Sequence, residues 1–148
     1  MHNTYMNENV EREAGLFTLL HAAGAAQDHA EAKLGEVGLS LAKLAALSAL
    51  RDAGESLPLS QLAERLSCVR SNITQLVDRL VADGLVSRAA DPHDRRSRLA
   101  VMTSAGRIAC DAGMRVRGEV ERVLVGDLST DERRQLASLM AKLERSAR

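Results

Sequence analysis

Leu16, Leu19, Leu20, Ala23 and Ala30 recur at the three- and four-residue steps that place side chains on one face of a helix. After a polar stretch at 1–8, expected to fray, this pattern predicts a first helix over about 9–34, stopped by Gly35 and Gly38. Leu39, Leu41, Leu44, Leu47 and Leu50 carry a second helix to Ala53 and Gly54. Leu59, Leu62, Ala63 and Leu66 form the stripe of a short third helix at about 58–66, with Pro58 in its first turn. Beyond a Ser67-Cys68-Val69 turn, Ile73, Leu76, Val77 and Leu80 predict a fourth helix over about 70–83, ended by Asp83 and Gly84. Two β-like runs follow, at 85–90 and 98–102, and the seven residues between them predict a hairpin with a long, charged tip. Thr103 and Ser104 can cap a fifth helix at 104–126, with Ile108, Ala112, Val116, Val120, Val123 and Leu124 as its apolar positions. Ser129-Thr130-Asp131-Glu132 reads as a capping box that opens a sixth helix, with Leu136, Leu139, Met140 and Leu143 inward.

The expected fold is therefore mainly α with one small β-hairpin, built as one domain over 1–148. Composition agrees: 23 Ala and 22 Leu stand against one Tyr, one Phe and no Trp. So few aromatic rings argue against the stacking surfaces that grip single-stranded nucleic acid. A chain of 148 residues buries enough surface to fold without disulfides or a structural metal, so Cys68 and Cys110 need not pair. There is no basic leader running into an apolar stretch and no run of about 20 apolar residues, so a soluble, cytoplasmic protein with reduced thiols is expected, without membrane contact. Twenty basic and twenty acidic side chains cancel overall, but 65–98 carries seven Arg against four Asp. Duplex DNA needs only such a local basic patch.

A short helix, a turn, a second helix with a polar outer face and a basic hairpin make a winged helix-turn-helix. Its second helix can enter the major groove, where side chains such as Ser71, Asn72, Thr74 and Gln75 can meet base edges. Arg70 and Arg79 suit phosphate contacts, and His93 lies in the wing loop, where it can meet phosphate. An arginine at the wing can reach the narrow, negative minor groove.

At these residues the sequence resembles the multiple-antibiotic-resistance regulator (MarR) family of bacterial transcription regulators. The likeness spans about 36–106 through LAERL at 62–66, NITQLVDRL at 72–80, DGLVSR at 83–88 and DPHDRRSRLAVMTSAG at 91–106. It implies a homodimer in which helices one, five and six, at 9–34 and 104–146, form the interface and 36–103 forms the DNA-binding lobe. It implies also that Asp94 orients Arg96, and that Arg95 and Arg96 contact minor groove and phosphate. The two-fold axis would match a pseudo-palindromic operator. Two departures bear on operator sequence: Val69 where a Ser or Thr cap often begins the recognition helix, and Gln75 where many relatives carry Arg. The function expected is a dimeric repressor released by a small-molecule or other signal, whose ligand would lodge among helices one, two and five, near residues such as Leu16, His21 and Leu44.

Other readings compete with this one. A dimeric winged-helix module could present helix four to a protein partner, although paired Arg95 and Arg96 serve no purpose there. Cys68 stands before a helix N-terminus between Arg65 and Arg70, surroundings that favour a thiolate and a redox sensor; the plainer reading is a small buried hydrophobe. Relatives that sense peroxide usually carry their cysteine near the start of helix one, where this chain has none. His21 and His29 lie about 80° apart around one helix and cannot easily share a metal. No glycine-rich phosphate loop, nucleophile elbow or H-E-x-x-H occurs, so neither an enzyme nor a cofactor is expected.

Overall fold

A computed structural model describes residues 15–66 and 70–148, with Arg70 and Ser71 described by their backbone only. Within these residues the leucine periodicities become helices α1 (Leu16–Gly35), α2 (Leu41–Asp52), α3 (Leu59–Arg65), α4 (Arg70–Ala82), α5 (Ser104–Val125) and α6 (Thr130–Ser146). Three strands complete the fold: β1 (Ser56–Pro58), β2 (Val86–Asp91) and β3 (Asp94–Met102). The fold is that of a winged helix-turn-helix with long helices at both ends.

Local chemistry sets the helix ends. The Ser40 hydroxyl accepts from the Lys43 N–H at the start of α2, and the Ser129–Glu132 capping box forms at the start of α6. At the end of α4 the backbone turns left-handed at Gly84, φ +73°, and the Leu85 N–H donates back to the Leu80 carbonyl at 2.9 Å.

α2 is the spine of the core. Leu47 and Leu50 are fully buried with Leu62 of α3, Ile73, Val77 and Leu80 of α4, Ala100 of β3 and Cys110 of α5. The sheet is antiparallel in the order β1-β3-β2, with Ser56 opposite Val101 and Val86 opposite Met102. Its core-facing residues Leu57, Val86, Ala100 and Met102 close the side of the lobe.

The structure revises the sequence reading in four places. Pro58 ends β1 and precedes α3 instead of occupying its first turn; a proline is tolerated there because β1 is an edge strand. β1 is only three residues, too short for alternation to identify it in the sequence, and forms because β3 supplies its partner. The hairpin tip is Pro92-His93 and not seven residues, since the strands run on to Asp91 and from Asp94. There the Asp91 and Asp94 carboxylates accept from the His93 and Arg96 N–H groups, each at 2.9 Å, and supply turn bonds that hydrophobic alternation does not report. Finally, Ile108 is 71% exposed and the apolar stripe of α6 faces away from the chain's own core, because α5 packs instead through Gly106, Cys110, Gly113 and Val120. Residues 9–14 of the expected first helix lie outside the described residues.

Candidate nucleic-acid interface

α4 is amphipathic in the sense the sequence requires. Ile73, Leu76, Val77 and Leu80 are buried, while Asn72, Thr74, Gln75, Asp78 and Arg79 are exposed on the opposite face. Its base is tied to three neighbours. The Lys43 ammonium of α2 pairs with Asp83 at 2.6 Å, and the Arg88 guanidinium of β2 pairs with Asp78. The third tie is Thr103, whose hydroxyl donates to the Gly84 carbonyl at 2.7 Å and accepts from the Gly106 N–H at 3.0 Å. A side chain at Gly106 would put its Cβ 2.1 Å from the Leu85 carbonyl oxygen. Thr103 and Gly106 thus form a clamp that joins the end of α4, the end of the wing and the start of α5.

β3 of the wing carries three exposed arginines, Arg95, Arg96 and Arg98. Side chains alternate along β3, so Arg96 and Arg98 share the face of buried Ala100 and Met102, and Arg95 takes the other. Arg96, Arg98 and Asp94 line one wall of a groove of about 320 Å³ whose other wall is Ser60 and Leu59 of α3 with Ile73 and Thr74 of α4. Among the described residues no carboxylate pairs with Arg79, Arg95, Arg96 or Arg98. The lobe therefore presents uncommitted guanidinium groups beside hydrogen-bonding side chains, the chemistry that meets phosphate and base edges.

The expected site residues fall into three groups. Asn72, Thr74, Gln75 and Arg79 on α4, and His93, Asp94, Arg95 and Arg96 on the wing, are all exposed on the lobe, with Thr74, Asp94 and Arg96 gathered around the groove. Asp94 bonds the backbone N–H of Arg96, so it shapes the chain that carries the guanidinium. The side chains of Arg70 and Ser71, and all of Cys68 and Val69, lie outside the described residues. Leu16, His21 and Leu44 are not brought together. Leu16 lines a cleft of about 480 Å³ with Leu19 and Leu143, His21 lines another with Phe17 and Leu20, and Leu44 is buried. Cys110 is free and buried, and no cluster able to hold a metal ion occurs among the described residues. Nor is any helix among them long and apolar enough to cross a membrane.

Ser60, Ser97 and Arg98 are the polar groove residues that sequence reasoning passed over. Arg98 was readable in principle: extending the period of two from Met102 and Ala100 back through β3 puts it beside Arg96. Ser60 had no such signal, because its nearness to the wing depends on how α3 packs.

Comparison with known proteins adds to this geometry. The model of the MarR family matches residues 37–97. The HTH-type transcriptional regulator YkoM of Bacillus subtilis is 31% identical over 144 residues, 96% of this chain and 92% of its own length. The HTH-type transcriptional repressor MdtR of the same organism is 31% identical over 110 residues, 74% of this chain and 70% of its own. A crystal structure of a mutant MarR from Escherichia coli complexed with operator DNA superposes with a TM-score of 0.79 at 26% identity, covering 86% of this chain and 92% of that one.

Proposed function

The chain belongs to the MarR family of DNA-binding transcription regulators, and from that premise we propose that it occupies a promoter operator as a homodimer and represses transcription until a signal releases it. The observation that carries this reading is the set of β3 arginines, Arg95, Arg96 and Arg98, without carboxylate partners among the described residues, beside the outward polar face of α4. In the proposed complex, Asn72, Thr74 and Gln75 meet base edges in the major groove, joined by Ser71 from the first turn of α4. Arg70 and Arg79 hold phosphates, and Arg95 and Arg96 take the adjacent minor groove and its backbone, with His93 near phosphate at the tip. Relatives of this chain are transcription regulators and not enzymes, and the same role is proposed here, in the cytoplasm.

The dimer rests on a second observation. Leu16, Phe17 and Leu20 of α1 and Leu139, Met140 and Leu143 of α6 form large exposed apolar positions on the terminal helices. Leu16 and Leu143 line one cleft, so the two sets of apolar residues meet there, and exposed apolar surface of this kind marks a protein interface. A second copy related by a two-fold axis covers it and sets two α4 helices at the spacing of a pseudo-palindrome. On this reading 1–148 works as one domain, with a DNA lobe at 36–103 and dimerisation helices at 9–34 and 104–146.

Release requires a signal that binds better to a conformation whose recognition helices are wrongly spaced. A small molecule seated among α1, α2 and α5 would act in this way. Leu16 and His21 are exposed on α1 but line separate clefts, so one molecule would reach at most one of them, and Leu44 would respond by moving with α2, since it packs against α5 at Gly113.

The test is selection of random duplex DNA by the purified protein, followed by binding of the recovered site across a salt series. A pseudo-palindrome with steep salt dependence is expected. Arg96→Ala should weaken operator and random duplex together and flatten the salt slope by about 0.9 for each phosphate no longer neutralised. No enrichment by the wild-type protein, together with an Arg96→Ala variant that binds random duplex as the wild type does, would favour a protein partner for the polar face of α4.

A further inference from the structure

A recognition helix in the major groove and a wing in the neighbouring minor groove must straddle the sugar–phosphate strand that separates those grooves. Whatever lines the space between helix and wing then faces phosphates and not bases. In this protein that space is the groove bounded by Ser60, Thr74, Arg96 and Arg98. We propose that Arg98, with the Ser60 hydroxyl opposite, forms a seat for the DNA phosphate that passes between α4 and the wing. This inference rests on the DNA-binding reading above and adds a contact nearer the body of the lobe than the wing tip.

Three features support it. Arg98 is exposed and has no carboxylate partner among the described residues, in contrast to Arg88 on the neighbouring strand, which Asp78 neutralises. Its position is fixed from both sides: Arg98 pairs with Ala90 in β2, and its neighbour Leu99 pairs with Pro58 in β1, so β3 is central here and cannot swing as a free tip can. A guanidinium on a rigid strand loses less freedom on binding than one on a mobile loop. Third, Ser60 lies on α3 and Arg98 on β3, so the seat draws on the helix that props α4 as well as on the wing. A phosphate held between them would fix the register of α4 in the major groove without reading sequence.

The experiment compares wild type, Arg98→Gln, Arg98→Lys and Arg96→Ala on the selected duplex and on a random duplex of equal length, across a salt series. The melting temperature of each variant verifies folding. Arg98→Gln is expected to lose about tenfold in affinity on both duplexes and to lower the salt slope by about 0.9 for each protomer engaged. Arg98→Lys should recover the slope. Unchanged affinity and slope in Arg98→Gln, with a clear loss in Arg96→Ala, would overturn the phosphate seat and leave the DNA reading standing. A loss confined to the selected duplex, with the slope intact, would make Arg98 a base reader and equally overturn the seat. Binding by both variants equal to wild type on both duplexes would overturn the seat and remove the wing from the DNA contact; absence of any selected duplex for the wild type would overturn the DNA reading itself.

Discussion

α4 and α6 carry apolar stripes of the same helical spacing and meet opposite fates. On α4, Ile73, Val77 and Leu80 are fully buried against α2, α3 and the sheet. On α6, Leu139 stays 59% exposed and Leu143 47%, and no residue of the helix is buried. Periodicity specifies that a stripe exists and which side of the helix it occupies; it does not say whether the covering surface comes from the same chain. The helices also differ in what surrounds them. α4 sits among bonds that fix its base, from Lys43, Arg88 and Thr103, whereas α6 has its own capping box and a tie back to the preceding helix, Arg133 to the Val125 carbonyl at 3.1 Å. The stripe of α4 is covered within the chain, and that of α6 is not.

Replacing both Leu139 and Leu143 by Glu attacks that difference directly. In the proposed two-fold dimer four leucines would be removed, each about half exposed in the chain and so contributing about 1–1.5 kcal/mol of further burial, and four carboxylates would be placed in the interface, so dissociation to monomers at micromolar concentration is expected. Sedimentation should report the monomer, while the melting of the lobe stays cooperative. A persistent dimer would show that the α6 stripe is not the interface.

Gly106→Ala makes the converse attack, on the lobe. The new Cβ would fall 2.1 Å from a backbone oxygen, which cannot rotate away, so a loss of about 3 kcal/mol is expected. The readout is denaturant unfolding, and near wild-type stability would mean that the end of α4 and the start of α5 are not held in close contact.

A smaller effect should follow from Thr103→Val, which removes the cap of α5 and the bond to Gly84 while keeping the shape. A cost of about 1–2 kcal/mol is expected, with faster hydrogen exchange at the Gly106 amide, and Thr103→Ser should restore both. Exchange at Gly106 identical to wild type would place the clamp elsewhere.

Among the described residues, residue order alone specifies six helices, the glycine stops of α1, α2 and α4, the caps at Thr103 and Ser129, and the polar face of α4; the Ser40 cap of α2 emerged from the structure. All of these depend on interactions within a few residues, which spacing and residue type encode directly. It also locates the basic hairpin, and with it most of the residues proposed to meet DNA. The remainder arises from packing between distant parts of the chain. β1 is three residues that become a strand only against β3, and Pro58 joins it only because that edge needs no further donor. The wing tip shortens to Pro92-His93 because strand pairing and two aspartate turns outweigh the lack of alternation. The groove that brings Arg98 to Ser60 and Thr74 depends on how α3, α4 and β3 pack, contacts between residues far apart in the chain that no local pattern records.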